Sequence, residues 1–203
     1  MGIGSGTGRI LASAIALIAW LGLAVQFSAV FEQTGLAAET LWVMLRYFTI
    51  TTNLLAAVVM TGIALGKTAF ASPSLLGGLT MAMAFVGLIY VLFLRGLLEL
   101  SGGARLADFL LHYVTPVSVM LFWLGFAPKG ALRNSDPFLW AIYPLAYAVY
   151  AIVRGVVDNK YAYPFIDVAQ IGWQLTAGNI LLMLLSFLAA GFVLVWLDRR
   201  VSS

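Results

Sequence analysis

Cysteine is absent from the chain, and histidine occurs once, at position 112. The first absence excludes disulfides, thiol nucleophiles and thiolate metal sites. The second leaves any metal site to carboxylates, so no metal and no cofactor is expected. Charge is scarce too. Charged residues make up 9% of the 203, where a soluble domain carries about 25%. A soluble enzyme of this length could not cover its surface with so few. The net charge of +3 is too small and too scattered to suggest a nucleic acid partner. Apolar residues are abundant, at 63%. That excludes disorder and leaves an all-α polytopic membrane protein.

A helix needs about 20 apolar residues to cross a bilayer. Six stretches meet or approach this: Ile10–Val30, Leu41–Leu65, Leu75–Leu94, Asp108–Phe126, Phe138–Val157 and Ile171–Leu197. The first is long for a signal-peptide core and no A-x-A site follows it, so it reads as a retained helix. The loops are too short for a soluble domain, so residues 1–203 read as one six-helix bundle. Six spans place both termini on one side. That side carries Arg9, Lys67, Lys129, Arg133, Arg199 and Arg200, against Arg46, Arg95, Arg105, Arg154 and Lys160. Basic residues at both ends favour termini in the cytoplasm.

Polar groups inside spans are costly and therefore informative. In the second span Arg46, Thr49 and Asn53 recur at i, i+3 and i+7, one face of a continuous helix. Thr49 would then lie roughly 12 Å along that span. Thr51 and Thr52 are expected to bond back to their own helix carbonyls. The fourth span opens with Asp108 and His112, neighbours at i, i+4, with Asp108 also a candidate N-cap. Pro116 cannot donate to the carbonyl of His112, which predicts a kink and a free carbonyl there. The fifth loop and sixth span add Tyr163, Asp167, Gln170, Gln174 and Asn179. With alternating spans all these groups gather at one end, while the other half is almost purely Leu, Ala, Val, Met and Gly. A half-buried polar pocket opening to the outer leaflet would account for that asymmetry.

Nucleophilic catalysis needs a hydroxyl with a base in reach. The hydroxyl nearest a plausible base is Thr49, and the imidazole is His112. If they meet, His112 takes the Thr49 proton during attack on an acyl carbonyl, and Asp108 orients the ring. Asn53 or Arg46 is then placed to stabilise the oxyanion. A carboxylate–histidine pair also serves as a proton relay in transporters, so the same residues support a second chemistry.

The ordered set Arg46-Tyr-Phe-Thr49-Ile-Thr-Thr-Asn53, His112 shortly before Pro116, and Tyr163-Pro-Phe-Ile-Asp167 resembles the androgen-induced (AIG/FAR-type) integral membrane proteins. It is most similar to their small bacterial six-span branch, and the likeness covers nearly the whole chain. The animal members are membrane threonine hydrolases of fatty acid esters of hydroxy fatty acids. The resemblance implies Thr49 as nucleophile and His112 as base, acting on a lipid-like ester drawn from the membrane. Arg46, Asn53, Asp108, Tyr163, Asp167 and Gln174 would support or bind substrate. The alternatives are a non-catalytic lipid- or small-molecule-binding protein and a small transporter. A pocket closed at its inner end favours either of the first two readings, and a continuous polar path favours transport.

Overall fold

A computed structural model describes residues 2–97 and 99–201. Among these it is 83% helix with no strand. The helices are α1 Gly6–Thr34, α2 Ala37–Met44, α3 Phe48–Ala64, α4 Pro73–Ile89, α5 Gly102–Phe109, α6 Thr115–Phe126, α7 Asp136–Asp158 and α8 Val168–Val201. Wider π-helical turns extend α4 over Tyr90–Leu94 and join α5 to α6 over Leu110–Val114. Five helical runs are long and apolar enough to cross a membrane, and the bent pair α2–α3 makes a sixth if it counts as one span. Leucines and valines on the outward faces of α1, α7 and α8 stay exposed, as surfaces solvated by lipid would.

Local chemistry sets the ends. Ser5 Oγ accepts from Gly8 N–H (3.1 Å) at the start of α1, and Gly35 in the left-handed region closes that helix onto Phe31 O (2.8 Å), a position that favours glycine. Ser72 and Pro73 open α4, with Ser72 Oγ accepting from Leu75 N–H. The fourth span starts at Gly102, six residues before the expected boundary, so Asp108 lies in the second turn and caps nothing.

The second span departs most from expectation. It is two helices bent by 101° at residues 45–47, although no proline or glycine occurs between Leu41 and Leu54. The cause is tertiary. In a continuous helix Leu45 O and Arg46 O would accept from Thr49 and Ile50. Here Tyr150 OH donates to Leu45 O (3.2 Å) and Tyr147 OH to Arg46 O (2.6 Å), while Ile50 N–H turns to Tyr47 O (3.1 Å). Hydroxyls from α7 thus satisfy carbonyls that hydrocarbon would leave unpaired. Thr49 accordingly sits in the first turn of α3, not deep in a continuous span, and Arg46 does not share a helix face with Thr49 and Asn53.

Helices α1, α3, α4, α6, α7 and α8 all contribute to one apolar core that includes Ala12, Ala56, Met60, Leu79, Met83, Phe122, Trp140 and Phe187, and α5 packs through Ala107 into a second cluster with Ala19, Leu23 and Ala57. Helices α7 and α8 pack on each other and reach the rest chiefly through α4. The seam where α3 and α4 face α7 and α8 holds a pocket lined mainly by apolar side chains.

Candidate active site

The first turn of α3 meets the π-helical turn Leu110–Val114 at the end of the bundle where α2 joins α3. There Thr49 Oγ1 lies 3.1 Å from His112 Nε2. The other ring nitrogen, Nδ1, lies 3.0 Å from Asp108 Oδ1 and 3.1 Å from Asp108 O. Both of those oxygens are acceptors, so Nδ1 carries the proton of the neutral ring. Nε2 is then the acceptor, and Thr49 donates its hydroxyl proton to it. Thr49, His112 and Asp108 thus form one hydrogen-bonded hydroxyl–imidazole–carboxylate chain, the order of groups found in hydrolytic triads.

A residue with no place in the sequence reading completes this chain. Tyr90 OH donates to Asp108 Oδ2 at 2.5 Å. Its ring stacks on His112, with centroids 4.0 Å apart and planes 17° from parallel. Each Asp108 oxygen therefore holds one donor, and the imidazole is fixed in plane and in rotation. The available signal was a hydroxyl at the end of the run Phe85-Val-Gly-Leu-Ile-Tyr90, inside a span where polar atoms are rare.

The π-helical turn has an identifiable cause. Thr115 N–H reaches back to Leu110 O, five residues away. Leu111 O thereby loses its α-helical donor, and the donor a π-helix would offer is Pro116, which has none. Asn53 supplies it: Nδ2 donates to Leu111 O (3.1 Å) and to Thr49 O (2.8 Å). The carbonyl that finds a side-chain donor is thus that of Leu111, not that of His112. With both Nδ2 protons directed at backbone, Asn53 offers no oxyanion donor, and its Oδ1 is buried without a partner.

Arg46 is also directed elsewhere. Its Nη2 donates to Asp158 Oδ2 (2.9 Å), which also accepts from Trp42 Nε1 (3.1 Å) and Arg154 Nε (3.3 Å). Arg154 lies over the Trp42 ring at 3.9 Å and donates to Trp42 O and Tyr150 OH. This cluster clasps the α2–α3 bend to α7 and positions Thr49 indirectly. Tyr143, Tyr147, Tyr150 and Arg154 recur at intervals of four, three and four, a helix stripe that could have been read as facing the site. Tyr143 OH bonds Thr51 and Thr52 (3.0 Å each). Thr52 therefore pairs across helices; Thr51 also bonds back to Phe48 O (3.1 Å).

Asp167 Oδ1 accepts from Ala169 N–H (3.1 Å) and Gln170 N–H (3.2 Å), so it caps α8 and stands apart from the Thr49 cluster. Gln170 and Gln174 are exposed and do not line the pocket. Asn179 Nδ2 donates to Phe165 O (2.9 Å) and pins the segment Pro164–Ile166 to α8. Tyr163 belongs to the site: its hydroxyl accepts from Phe48 N–H at 3.0 Å. Burial pushes its phenol up to about 12, against the opposing pull of hydrogen bonds with Thr49 and the Phe48 and Thr49 amides.

Thr49 lines an apolar pocket that is partly open at its rim. Its polar side chains are Thr49, Tyr147 and Tyr163; Val86, Ile89, Leu145, Ile180, Met183 and Leu184 are among its apolar walls. One turn beyond Met183, Phe187 is 1% exposed and its ring meets Phe85 edge-on at 5.4 Å. Of this aromatic pair, Phe85 lines the pocket. Among the described residues no group of three or more His, Asp or Glu could hold a metal ion. No protein-family model, curated protein or solved structure matches the chain.

Proposed function

We propose that this protein is an intramembrane hydrolase of lipid (fatty acyl) esters, with Thr49 as nucleophile and His112 as general base. One observation carries the reading: the Thr49–His112–Asp108 chain has its tautomer fixed by Asp108, and its nucleophilic oxygen faces an apolar pocket. An acyl chain fills such a pocket, and the ester carbonyl is brought to Thr49. Thr49 Oγ attacks the carbonyl carbon as its proton passes to His112 Nε2. Collapse of the intermediate breaks the ester C–O bond, and His112 returns the proton to the leaving alkoxide. Water then repeats the sequence on the acyl-threonine and releases the fatty acid.

The motif resemblance to AIG/FAR-type proteins supports the same assignment and suggests a multi-pass protein of a bacterial inner membrane with cytoplasmic termini. A non-catalytic lipid carrier would use the same pocket. It has no need of a histidine held with Nε2 free to accept from a threonine. Transport has less support, because the pocket lining is apolar apart from Thr49, Tyr147 and Tyr163 and so offers no continuous polar path.

The test uses purified wild type, Thr49→Ala and His112→Ala in detergent, with size exclusion to verify folding. A fluorophosphonate probe and p-nitrophenyl acyl esters are the substrates. Both variants should lose on the order of 10⁴-fold in kcat, as hydrolytic triads do when one member is removed, and should no longer label. Hydrolysis by folded Thr49→Ala at the wild-type rate would end the hydrolase reading and leave the carrier.

A further inference from the structure

Attack on an ester carbonyl moves the C=O π pair onto oxygen, and that oxyanion needs a donor already in place. The candidates beside Thr49 can be taken in turn. Both Asn53 Nδ2 protons go to Thr49 O and Leu111 O. Arg46 Nη2 goes to Asp158, and Arg46, whose Nε is buried without a hydrogen-bond partner, does not line the pocket. At the start of α3, Ile50 and Thr51 N–H close onto Tyr47 O at 3.1 and 3.2 Å, and Phe48 N–H points at Tyr163 OH. Of the two phenols lining the pocket, Tyr147 donates to Arg46 O at 2.6 Å. Tyr163 is an acceptor toward Phe48 and keeps its own proton to donate.

From this placement we infer that Tyr163 is a further catalytic residue, the oxyanion donor that hydrogen-bonds the substrate carbonyl oxygen as Thr49 attacks. The inference rests on the hydrolase reading. Tyr163 and Thr49 line the same pocket, and the phenol is anchored on the amide of the residue next to Thr49. Once Thr49 Oγ has bonded to the carbonyl carbon, the former carbonyl oxygen lies on that same carbon, and the phenol turns its hydrogen bond to it as the stronger acceptor. No proton leaves Tyr163. It donates a hydrogen bond while the intermediate lasts and releases it when the C=O bond re-forms.

The phenol is held ready for this. Its ring stacks on Phe165 (5.1 Å, 8°) and meets Tyr47 edge-on (6.0 Å). Asn179 ties Phe165 O to α8, and the Phe48 amide fixes the hydroxyl itself. The phenol, raised to about 12 by burial, stays protonated across the working range. Tyr163 stands on the segment between α7 and α8, so this loop completes a site otherwise built on α3, α5 and the turn after it.

The experiment compares wild type, Thr49→Ala, Tyr163→Phe and Tyr147→Phe on p-nitrophenyl decanoate in detergent. Removing one oxyanion donor typically lowers kcat about 10²- to 10³-fold. Tyr163→Phe should therefore lose about 100-fold in kcat with KM within threefold, while Tyr147→Phe, whose proton goes to backbone, loses far less. Should the Tyr163→Phe protein not fold, a more acidic ring-fluorinated tyrosine at 163 keeps the packing. Its kcat should fall with rising pH as that phenol ionises, over a range where wild type is flat; its titratable neighbours are Tyr147 and, through Thr49, His112. A Tyr163→Phe kcat within threefold of wild type, with Thr49→Ala dead, overturns the oxyanion role and leaves the nucleophile standing. So does a flat profile for the fluorinated protein. Wild type no faster than Thr49→Ala overturns both readings.

Discussion

At the scale of the residue, two nitrogens of one imidazole carry the functional argument. Nδ1 faces two oxygens of Asp108 and Nε2 faces Thr49. Thr49, His112 and Asp108 were legible in the sequence because each is polar where a span is otherwise apolar. Their partners were less so. Tyr90 could not be paired with Asp108 by spacing, since it reaches it from another helix. Arg46 and Asn53 were read as oxyanion donors from position alone, and the fold aims them at Asp158 and at backbone carbonyls. The role of Tyr90 can be isolated, because phenylalanine keeps the stacking on His112 and removes the bond to Asp108. A hydrogen bond to a charged group is worth about 1.5–3 kcal/mol, so Tyr90→Phe should lose at least about tenfold in kcat with its melting temperature little changed. Full activity in that variant would mean that Asp108 orients His112 unaided.

Elements are where the sequence reading succeeded in outline and failed in detail. All six apolar stretches coincide with helices, since length and hydropathy decide them. The 101° bend between α2 and α3 was not legible, because its cause is on α7: two tyrosine hydroxyls and the Asp158 clasp replace the lost helical bonds. Pro116 predicts a helix distortion beside His112. Its form, a π-helical turn with Leu111 O turned toward Asn53, needed a neighbouring helix to exist. Wider turns of this kind recur at functional sites, and here the turn presents His112 to Thr49. Asn53→Ala would leave both Leu111 O and Thr49 O without their side-chain donor. Interhelical hydrogen bonds in membranes average about 0.6 kcal/mol and reach about 1.7, so the loss should be about 1 kcal/mol and should appear as a lower melting temperature in detergent. Activity should fall as well, because the bond spans the two turns that carry nucleophile and base. A variant as stable and as active as wild type would mean that the turn holds its shape without Asn53.

For the whole molecule, the arrangement of helices explains why a site exists at all. One apolar core runs from Ala12 and Met60 through Leu79 and Met83 to Trp140 and Phe187, and α7 and α8 join the other helices mainly through α4. A seam packed along one helix leaves space beside it, and the pocket occupies that space from Thr49 toward Phe85. Polar groups collect at one end of the seam because the bend, the turn at His112 and the α7–α8 loop all lie there, which is the asymmetry the sequence displays. The depth of the pocket then becomes a ruler for the acyl chain. Each methylene shut out of an apolar pocket forfeits about 0.8 kcal/mol. Met183, on the α8 wall one turn from Phe187, is the position where added bulk shortens the ruler without touching Thr49 or His112. Met183→Trp should leave kcat/KM for p-nitrophenyl butyrate near wild type and lower it for the decanoate at least roughly tenfold, the effect of excluding about two methylenes. Rates measured across the even-numbered chain lengths would show a break at the length that first reaches the new indole. A uniform fall at every length would instead mean that the acyl chain lies outside the seam, and the pocket would lose its assignment as the chain's binding site.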